Sequence, residues 1–207
     1  MKVLLVNGSP HHKGCTFTAL EEVGRELCNQ GIETEVFWLG VKPVMGCIGC
    51  GKCGQSKRCW YEEDRVNEFL SKVESADGFV FGTPIHFAGP SGSIKSFMDR
   101  AFCSKLALYA NKPAAAVVSC RRGGAQGGFE DLNRYFTIAN MPVVSSEYWN
   151  EVHGNTPEEV RQDLEGMQVM RQLGRNMAWL LRCIEAGRLA GIPMPEHEAK
   201  IKTNFIR

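Results

Sequence analysis

Residues 3–18 read VLLVNGSPHHKGCTFT, and they contain the strongest indication of fold class in the sequence. The apolar run Val3–Val6 is short and uninterrupted, as expected of a strand that is covered on both faces of its sheet. A turn of Asn, Gly, Ser and Pro follows the run, and an amphipathic pattern begins after Gly14. The apolar stripe of that pattern consists of Phe17, Leu20, Val23 and Leu27. The stretch therefore predicts a strand, a loop and a helix, which form the first half of a βαβ unit.

Further strand candidates extend this unit into a sheet. The five predicted strands are Lys2–Val6, Glu33–Leu39, Gly78–Gly82, Ala114–Ser119 and Pro142–Ser145. Three of them are continuously apolar, whereas the second alternates and the fifth opens with a proline, so the latter two suit the sheet edges. Helical patterns between the strands predict a parallel sheet of order 2-1-3-4-5. This is the flavodoxin-like α/β arrangement, a doubly wound three-layer sandwich.

Amphipathic helices are predicted between and after these strands. The three stripes after the first helix lie at Val66–Val73, Ile94–Phe102 and Phe129–Ala139. The sequence Thr156-Pro157-Glu158-Glu159 is a capping box with proline at the first helical position, which predicts that the last helix begins there. We expect this helix to continue to about Glu185.

Size and composition suit one domain. The chain has 207 residues, of which 43% are hydrophobic and 23% charged. We expect a single flavodoxin-like domain over residues 1–207, with a cysteine-rich loop at 46–60 and a C-terminal helix plus tail at 157–207. The net charge of +1 argues against nucleic-acid binding, and no apolar run is long enough for a membrane span. The sequence starts with a strand rather than a signal peptide, so a cytoplasmic location is expected.

The loop after the first strand has the composition of a phosphate site. Ser9, Thr16 and Thr18 place hydroxyls near the start of the predicted helix, where free N–H groups and the helix dipole attract anions. The loop lacks the GxGxxG spacing of dinucleotide-binding proteins and the GxxxxGK[ST] of a P-loop. The predicted ligand is therefore a mononucleotide. An ordinary helix cap is the alternative.

Two other loops follow predicted strands at the same edge of the sheet. Residues 82–90 read GTPIHFAGP, and these nine residues exceed the usual length of a β–α connection. Their prolines stiffen the loop, and their aromatic side chains can cover a flat ring. Residues 119–124 read SCRRGG, in which the glycines permit close approach of a ligand. An arginine there would stabilise negative charge on a reduced flavin, although both arginines also suit a solvated surface.

Four of the nine cysteines lie between residues 47 and 59, which indicates metal or redox chemistry rather than a disulfide framework. Cys47, Cys50, Cys53 and Cys59 form the pattern CxxCxxCx₅C, with glycines between them. This spacing allows one iron-sulfur cubane, whereas structural zinc usually takes two CxxC pairs that are farther apart. Free thiols or a redox disulfide are the third alternative. The other cysteines are predicted to be small core residues, namely Cys15, Cys28, Cys103, Cys120 and Cys183.

These motifs resemble the NADPH-dependent FMN reductase group of flavodoxin-like proteins. The resemblance rests on GSPHHKGCT at 8–16, on TPIHFAGP at 83–90 with the following SGSIKSFMDR at 91–100, and on the glycine-rich loop at 119–124. It extends from residue 1 to about residue 144. Cys15 stands where members of the group commonly have asparagine.

The resemblance implies how FMN is held. The phosphate would be bound by Ser9, His11, Thr16, Phe17 and Thr18. The isoalloxazine would be lined by Pro84, Ile85, His86 and Phe87. Its far edge would meet Ser119, Arg121, Arg122, Gly123 and Gly124. No catalytic side chain is implied, because the flavin itself carries the electron chemistry.

The cysteine motif resembles that of the iron-sulfur flavoproteins, a branch of the same group with a [4Fe–4S] cluster. The resemblance implies that Cys47, Cys50, Cys53 and Cys59 are the ligands, although similar loops occur in reductases where no cluster need be present. NAD(P)H would be the donor, a quinone, azo compound or flavin the small-molecule acceptor, and ferredoxin a partner. A non-enzymatic electron carrier is the alternative function. We also expect a homodimer or homotetramer, because the last helix, the tail and the Tyr148-Trp149 segment offer more surface than a five-stranded domain needs.

Overall fold

The computed structural model describes residues 1–196, 198, 199, 201 and 203. Its elements in chain order are β1 (Lys2–Asn7), α1 (Cys15–Asn29), β2 (Glu33–Trp38), α2 (Cys53–Ser56), α3 (Val66–Val73), β3 (Gly78–His86), β4 (Gly89–Pro90), α4 (Gly92–Lys105), β5 (Ala114–Cys120), α5 (Ala125–Ile138), β6 (Glu151–His153), α6 (Pro157–Gln162) and α7 (Leu164–Leu189). A short 3-10 turn, Leu106–Leu108, follows α4. The predicted alternation of strands and helices is confirmed.

Five of the strands form a parallel sheet in the order β2-β1-β3-β5-β6, and the two-residue β4 pairs antiparallel with the end of β3. This confirms the predicted flavodoxin-like arrangement. At the carboxyl edge, Asn7 of β1 lies beside Trp38 of β2 on one side and Gly82 of β3 on the other. The loops that follow β1, β3 and β5 therefore leave the sheet at one edge.

The prediction of a fifth strand at Pro142–Ser145 is wrong. Val143 makes only an isolated bridge to Ala114, at the very start of β5. The edge strand is β6, whose Glu151 lies opposite Val118. Proline at the start of the segment has no N–H to donate, and the chain leaves the sheet edge after two backbone hydrogen bonds to Ala114.

The sequence predicts one continuous last helix, but the structure divides it into α6 and α7. Asp163 adopts φ −73° and ψ 81°, which ends α6. Its carboxylate accepts the N–H of Gly166 at 3.0 Å and that of His153 at 2.7 Å, so it caps α7 and ties it to β6. The capping box at Thr156 is confirmed, because its hydroxyl accepts the N–H of Glu159. Of the predicted tail, positions 197, 200, 202 and 204–207 lie outside the described residues.

Alternate side chains of the strands bury against different helix layers. Leu4, Phe79 and Phe81 face α3, α4 and α5, whereas Leu5 and Val80 face α1 and α7. The α1–α7 contact also carries ion pairs, from Glu22 to Arg171 at 2.8 Å and from Glu26 to Arg175 at 3.0 Å. Within the described residues, no helix has the length and apolar character needed to cross a membrane.

Candidate functional site

The structure brings the three predicted loops together at the carboxyl edge. The N–H of Gly8 donates to the Gly82 carbonyl at 2.9 Å, and the Ser91 hydroxyl donates to the Gly8 carbonyl at 3.0 Å, which joins the first loop to the second. The Thr16 and Ser119 hydroxyls are 2.7 Å apart, which joins the first loop to the third. The sheet and these buried contacts fix the relative positions of the loops.

The first loop ends at a helix terminus suited to an anion. Gly14 precedes α1 without any side-chain cap, and the first turn of α1 has no acidic residue. The N–H groups of such a turn lack side-chain partners and carry the positive end of the helix dipole. Upstream, the Asn7 side chain accepts the Ser9 N–H at 3.0 Å and donates to the His12 carbonyl at 3.1 Å. The loop is therefore held in one conformation by its own hydrogen bonds.

The predicted phosphate ligands occupy two kinds of position. Ser9, Thr16 and Thr18 are buried, Phe17 is half-buried and His11 is exposed. The Thr18 hydroxyl donates to the Gly14 carbonyl at 3.2 Å, so its single proton is used within α1. In the Thr16–Ser119 pair, one hydroxyl accepts and keeps a proton for another acceptor.

Trp38 is a residue of this region that the sequence reasoning missed. Its indole N–H donates to the Ser9 carbonyl at 2.8 Å, and its ring stacks on His12 with centroids 4.4 Å apart. Its position at the end of β2, where an aromatic residue meets the carboxyl edge, was a signal that could have been used. Trp38 of β2 therefore stabilises the conformation of the first loop through these two contacts.

The second segment is a strand and a hairpin rather than an irregular loop. The predicted strand ended at Gly82, but β3 continues to His86 and turns back into β4. Pro84 and Ile85 are half-buried and His86 is exposed. At the turn, Phe87 has φ +58°, and its side chain is fully exposed. The hairpin therefore presents an aromatic side chain above the sheet edge.

The third loop packs on this hairpin. Gly124 has φ +90°, and a Cβ at this position would lie 3.2 Å from Ile85 Cγ2. Only glycine fits that conformation and approach without strain. Ser119 is buried, whereas Arg121, Arg122 and Gly123 are exposed. The predicted flavin-edge residues thus share one surface with the predicted ring-lining residues.

These features fit a flavin mononucleotide. The uncapped start of α1 suits a phosphate. The hairpin supplies aromatic and apolar side chains, and the third loop supplies glycines and two exposed guanidinium groups.

The four cysteines of the motif line one cavity of about 190 Å³. The cavity also contacts Trp60, Arg100 and Cys103, and neither a carboxylate nor an imidazole lines it. The cysteine loop is exposed over most of its length, and α2 is its only helical turn. A lining in which thiols are the main ligand atoms fits an iron-sulfur cluster.

The thiols are not assembled around a single point. Across the described part of the chain, no three His, Cys, Asp or Glu side chains are arranged to hold a metal ion, and all nine cysteines are free. Cys53 Sγ contacts the Cys103 carbonyl at 3.7 Å, and Cys59 Sγ accepts the Nε–H of Arg100 at 3.1 Å. The predicted ligands Cys47, Cys50, Cys53 and Cys59 therefore share a cavity without forming a ligand shell in this structure.

Arg100 of α4 is the buried cation of this region, and the sequence reasoning gave it no role. It pairs with the buried Asp64, and it donates to the carbonyls of Met45 at 3.2 Å and Tyr61 at 3.0 Å. Burial alone would lower the pKa of Arg100, but the hydrogen bonds to Asp64 and Cys59 raise it above its ordinary value. The guanidinium is therefore a permanent positive charge at the base of the cysteine loop.

Three of the cysteines predicted to be core residues are exposed, namely Cys28, Cys103 and Cys183. Cys120 is buried as predicted, and Cys15 is half-buried. Cys103 lies beside the motif, where partial desolvation of the thiol and the neighbouring Cys47 and Cys53 raise its pKa. The cavity thus contains one more thiol than the motif predicted.

Comparisons with known proteins agree with this geometry. Residues 1–156 match the family model of the NADPH-dependent FMN reductases. An iron-sulfur flavoprotein of Methanocaldococcus jannaschii is 31% identical, over 89% of this chain and 100% of that protein. An NADPH azoreductase of Bacillus sp. is 28% identical over 64% of this chain and 65% of its own length.

Solved structures share the fold at low sequence identity. The crystal structure of RosB with bound 8-demethyl-8-formylriboflavin-5'-phosphate superposes with a TM-score of 0.67 at 16% identity. It covers 100% of this chain and 94% of the RosB chain. At this identity the match shows a common fold.

Proposed function

The chain belongs to the NADPH-dependent FMN reductase family, and we propose that it passes electrons from NADPH through FMN and a [4Fe–4S] cluster to a small acceptor or a ferredoxin. Members of that family are FMN-dependent oxidoreductases that use NAD(P)H, and this chain is one of them. The observation that carries the finer proposal is the pairing of two features: a preformed three-loop edge and a separate thiol-lined cavity.

FMN, when bound, supplies the exchange of electrons with nicotinamide and with one-electron acceptors. The chain's own residues bind and orient it. The free N–H groups at the start of α1 would hold the phosphate, and the Thr16–Ser119 hydroxyl pair lies beside them. The positive charges of Arg121 and Arg122 would favour the reduced, more negatively charged flavin. The hairpin around Phe87 would shield the flavin from water.

The cluster part of the proposal is supported by chemistry and by names. Two relatives from Methanocaldococcus jannaschii are called iron-sulfur flavoproteins, and the cavity lining contains thiols without carboxylates. Cys47, Cys50, Cys53 and Cys59 would hold the cluster, which supplies one-electron steps. Glycines between the first three cysteines let the loop close around the inorganic core.

The first experiment is an anaerobic preparation with determination of FMN, iron and sulfide. We expect a yellow-brown protein that contains about one FMN and about four irons per chain. Stopped-flow mixing with NADPH should then bleach the flavin absorbance. Flavin that is not bleached by NADPH or NADH would favour the non-enzymatic carrier, and protein without iron would remove the cluster while leaving the reductase assignment intact.

A matched pair of variants localises the cluster. Cys53→Ser removes one proposed ligand, whereas Cys28→Ser removes an exposed thiol that lies next to Thr34 of β2 and does not line the cysteine cavity. We expect Cys53→Ser to lose most of its iron and keep FMN, and Cys28→Ser to keep both. Equal iron content in the two variants would contradict the assignment of Cys53.

We also propose that the chain forms a homodimer or homotetramer. Tyr148 and Trp149 are exposed in the isolated chain, as are Leu164 and Trp179 on α7. Apolar side chains of this size, exposed on neighbouring elements, are typical of contact surfaces. Light scattering at micromolar concentration should give a mass at least twice that of the 23.0 kDa chain. A monomer mass would contradict the proposal.

A cytoplasmic location completes the proposal. None of the nine cysteines forms a disulfide bond in this structure, which fits a reducing compartment. Cell fractionation with a soluble marker protein is the test, and recovery in the periplasmic or secreted fraction would contradict it.

A further inference from the structure

Arg100 lies where both ends of the cysteine loop meet the body of the protein. Its side chain is only 2% exposed, although α4 places it next to a loop that is largely exposed. The guanidinium donates to carbonyls at Met45, before the first cysteine, and at Tyr61, after the last. Asp64 pairs with the same guanidinium and accepts the Met45 N–H. Arg100 and Asp64 together form a clasp that closes the loop.

The clasp also reaches one thiol directly. Arg100 Nε donates to Cys59 Sγ at 3.1 Å, and the Asn67 side chain bonds both the N–H and the carbonyl of Cys59. Cys59 is therefore fixed in its backbone and at its sulfur. Among the described residues, Cys47, Cys50 and Cys53 accept no hydrogen bond from a nitrogen at their sulfur atoms. Of the four cysteines, only Cys59 is therefore fixed by a hydrogen bond from a cation to its sulfur.

We propose that Arg100 is the positioning residue of the metal site: it holds the Cys59 sulfur in place and raises the reduction potential of the cluster. The inference rests on the proposed function, because it assigns a role toward the proposed cluster. Reduction adds negative charge to a cluster and its thiolates. Hydrogen bonds and positive charge at a ligand sulfur stabilise the reduced state more than the oxidised state.

The potential is measured on anaerobically loaded protein by a redox titration followed by electron paramagnetic resonance. The test variant is Arg100→Gln/Asp64→Asn, which removes both buried charges and leaves neither unpaired. Its cluster should have a lower midpoint potential than the wild type, and its FMN potential should not change. Arg58→Gln is the matched control, because Arg58 carries an exposed positive charge in the same loop and, among the described residues, its side chain donates no hydrogen bond to a thiol. Its cluster potential should stay at the wild-type value.

The positioning role has a readout in iron-free protein. Mass-mapped alkylation by N-ethylmaleimide should modify Cys59 more slowly than Cys50 in the wild type. Arg100→Lys keeps the positive charge but loses the planar guanidinium group. In this variant the alkylation rates of Cys59 and Cys50 should become more similar. A circular dichroism melt confirms that each variant is folded, and Arg100→Lys replaces the double variant in the titration if the latter does not fold.

The outcomes separate this inference from the proposed function. If the wild-type protein takes up no iron, the proposed cluster and the proposed effect on its potential are both wrong. The alkylation rates still decide whether Arg100 positions Cys59. Iron-loaded double variant with an unchanged cluster potential overturns the inference and leaves the cluster standing. An equal shift in Arg58→Gln also overturns it, because the potential would then not depend specifically on the contact between Arg100 and Cys59.

Discussion

The flavin edge and the cysteine loop lie on the same molecule but are held in place by different means. At the flavin edge, loops are fixed by the sheet and by buried contacts such as Thr16–Ser119. The cysteine loop has little regular structure, and its main attachments are the Arg100–Asp64 clasp and Asn67. A parallel sheet thus holds one site in place, whereas the other depends on a few long-range polar contacts and on its ligand.

The largest effect is expected from Asp64→Ala. Removing one partner of a buried ion pair typically costs about 3–5 kcal/mol, and it leaves Arg100 unpaired next to the cysteines. Urea unfolding should show this loss. Glu62→Gln, which breaks the exposed contact to Arg58, is the control and should change the unfolding free energy by less than about 1 kcal/mol. Asp64→Ala with wild-type stability would mean that the clasp does not hold the loop.

Gly124→Ala tests the flavin edge. The substitution forces a side chain into the left-handed region, at a cost of about 1–2 kcal/mol, and places its Cβ 3.2 Å from Ile85. We expect weaker FMN binding in a fluorescence titration and an unchanged iron content. Gly92→Ala is the control, because its Cβ would meet nothing within 4 Å and Gly92 is not one of the proposed flavin contacts. Equal FMN affinity in both variants would contradict the close packing of the two loops.

Thr16→Val removes the hydroxyl that joins the first and third loops. The loss of one buried hydrogen bond is worth about 0.5–1.5 kcal/mol, so FMN affinity should fall by up to roughly tenfold. Thr18→Val removes a hydroxyl bonded within α1 and should affect helix stability more than FMN affinity. Isothermal titration calorimetry with FMN measures the affinity of both variants. The reverse ranking would show that Thr18, rather than Thr16, contacts the phosphate.

The smallest effect is expected far from both regions, at Glu35 of β2. Hydrogen bonds from Lys2 and Lys72 lower the pKa of Glu35 below 4.5, so its charged form stabilises the fold above that pH. Glu35→Gln should cost less than about 1 kcal/mol at neutral pH. The difference from wild type should disappear as the pH falls through the lowered pKa of Glu35. A difference that persists in acid would indicate a role other than ion pairing.

The sheet was predictable because its strands carry their own signal. Continuous apolar runs such as Val3–Val6 and Ala114–Val118 are needed for burial on both faces, and that requirement is local in sequence. The edge strand Glu151–His153 has only one apolar residue, so no pattern identified it. Asp163, which ends α6, accepts a hydrogen bond from the N–H of His153. Helical periodicity does not reveal this contact.

The candidate site was predictable only where a motif is contiguous. The three loops follow from strand ends, since parallel strands bring their carboxyl ends to one edge. The pair of Arg100 and Asp64 is separated by 36 positions, and nothing in the sequence around either residue specifies the other. Cys103 did have a signal, because it falls outside the stripe formed by Phe97, Ala101 and Phe102 and is exposed.

The Arg100–Asp64 clasp has a consequence for the entropy of metal uptake. Its contacts at Met45 and Tyr61 bring the two ends of the cysteine segment together while the thiols are still free. Closing a flexible loop of that length in an unconstrained chain costs on the order of 2–3 kcal/mol. Here that loss is incurred during folding, so it does not oppose ligation. A peptide with the same cysteines but without the clasp would bind the same metal centre correspondingly more weakly.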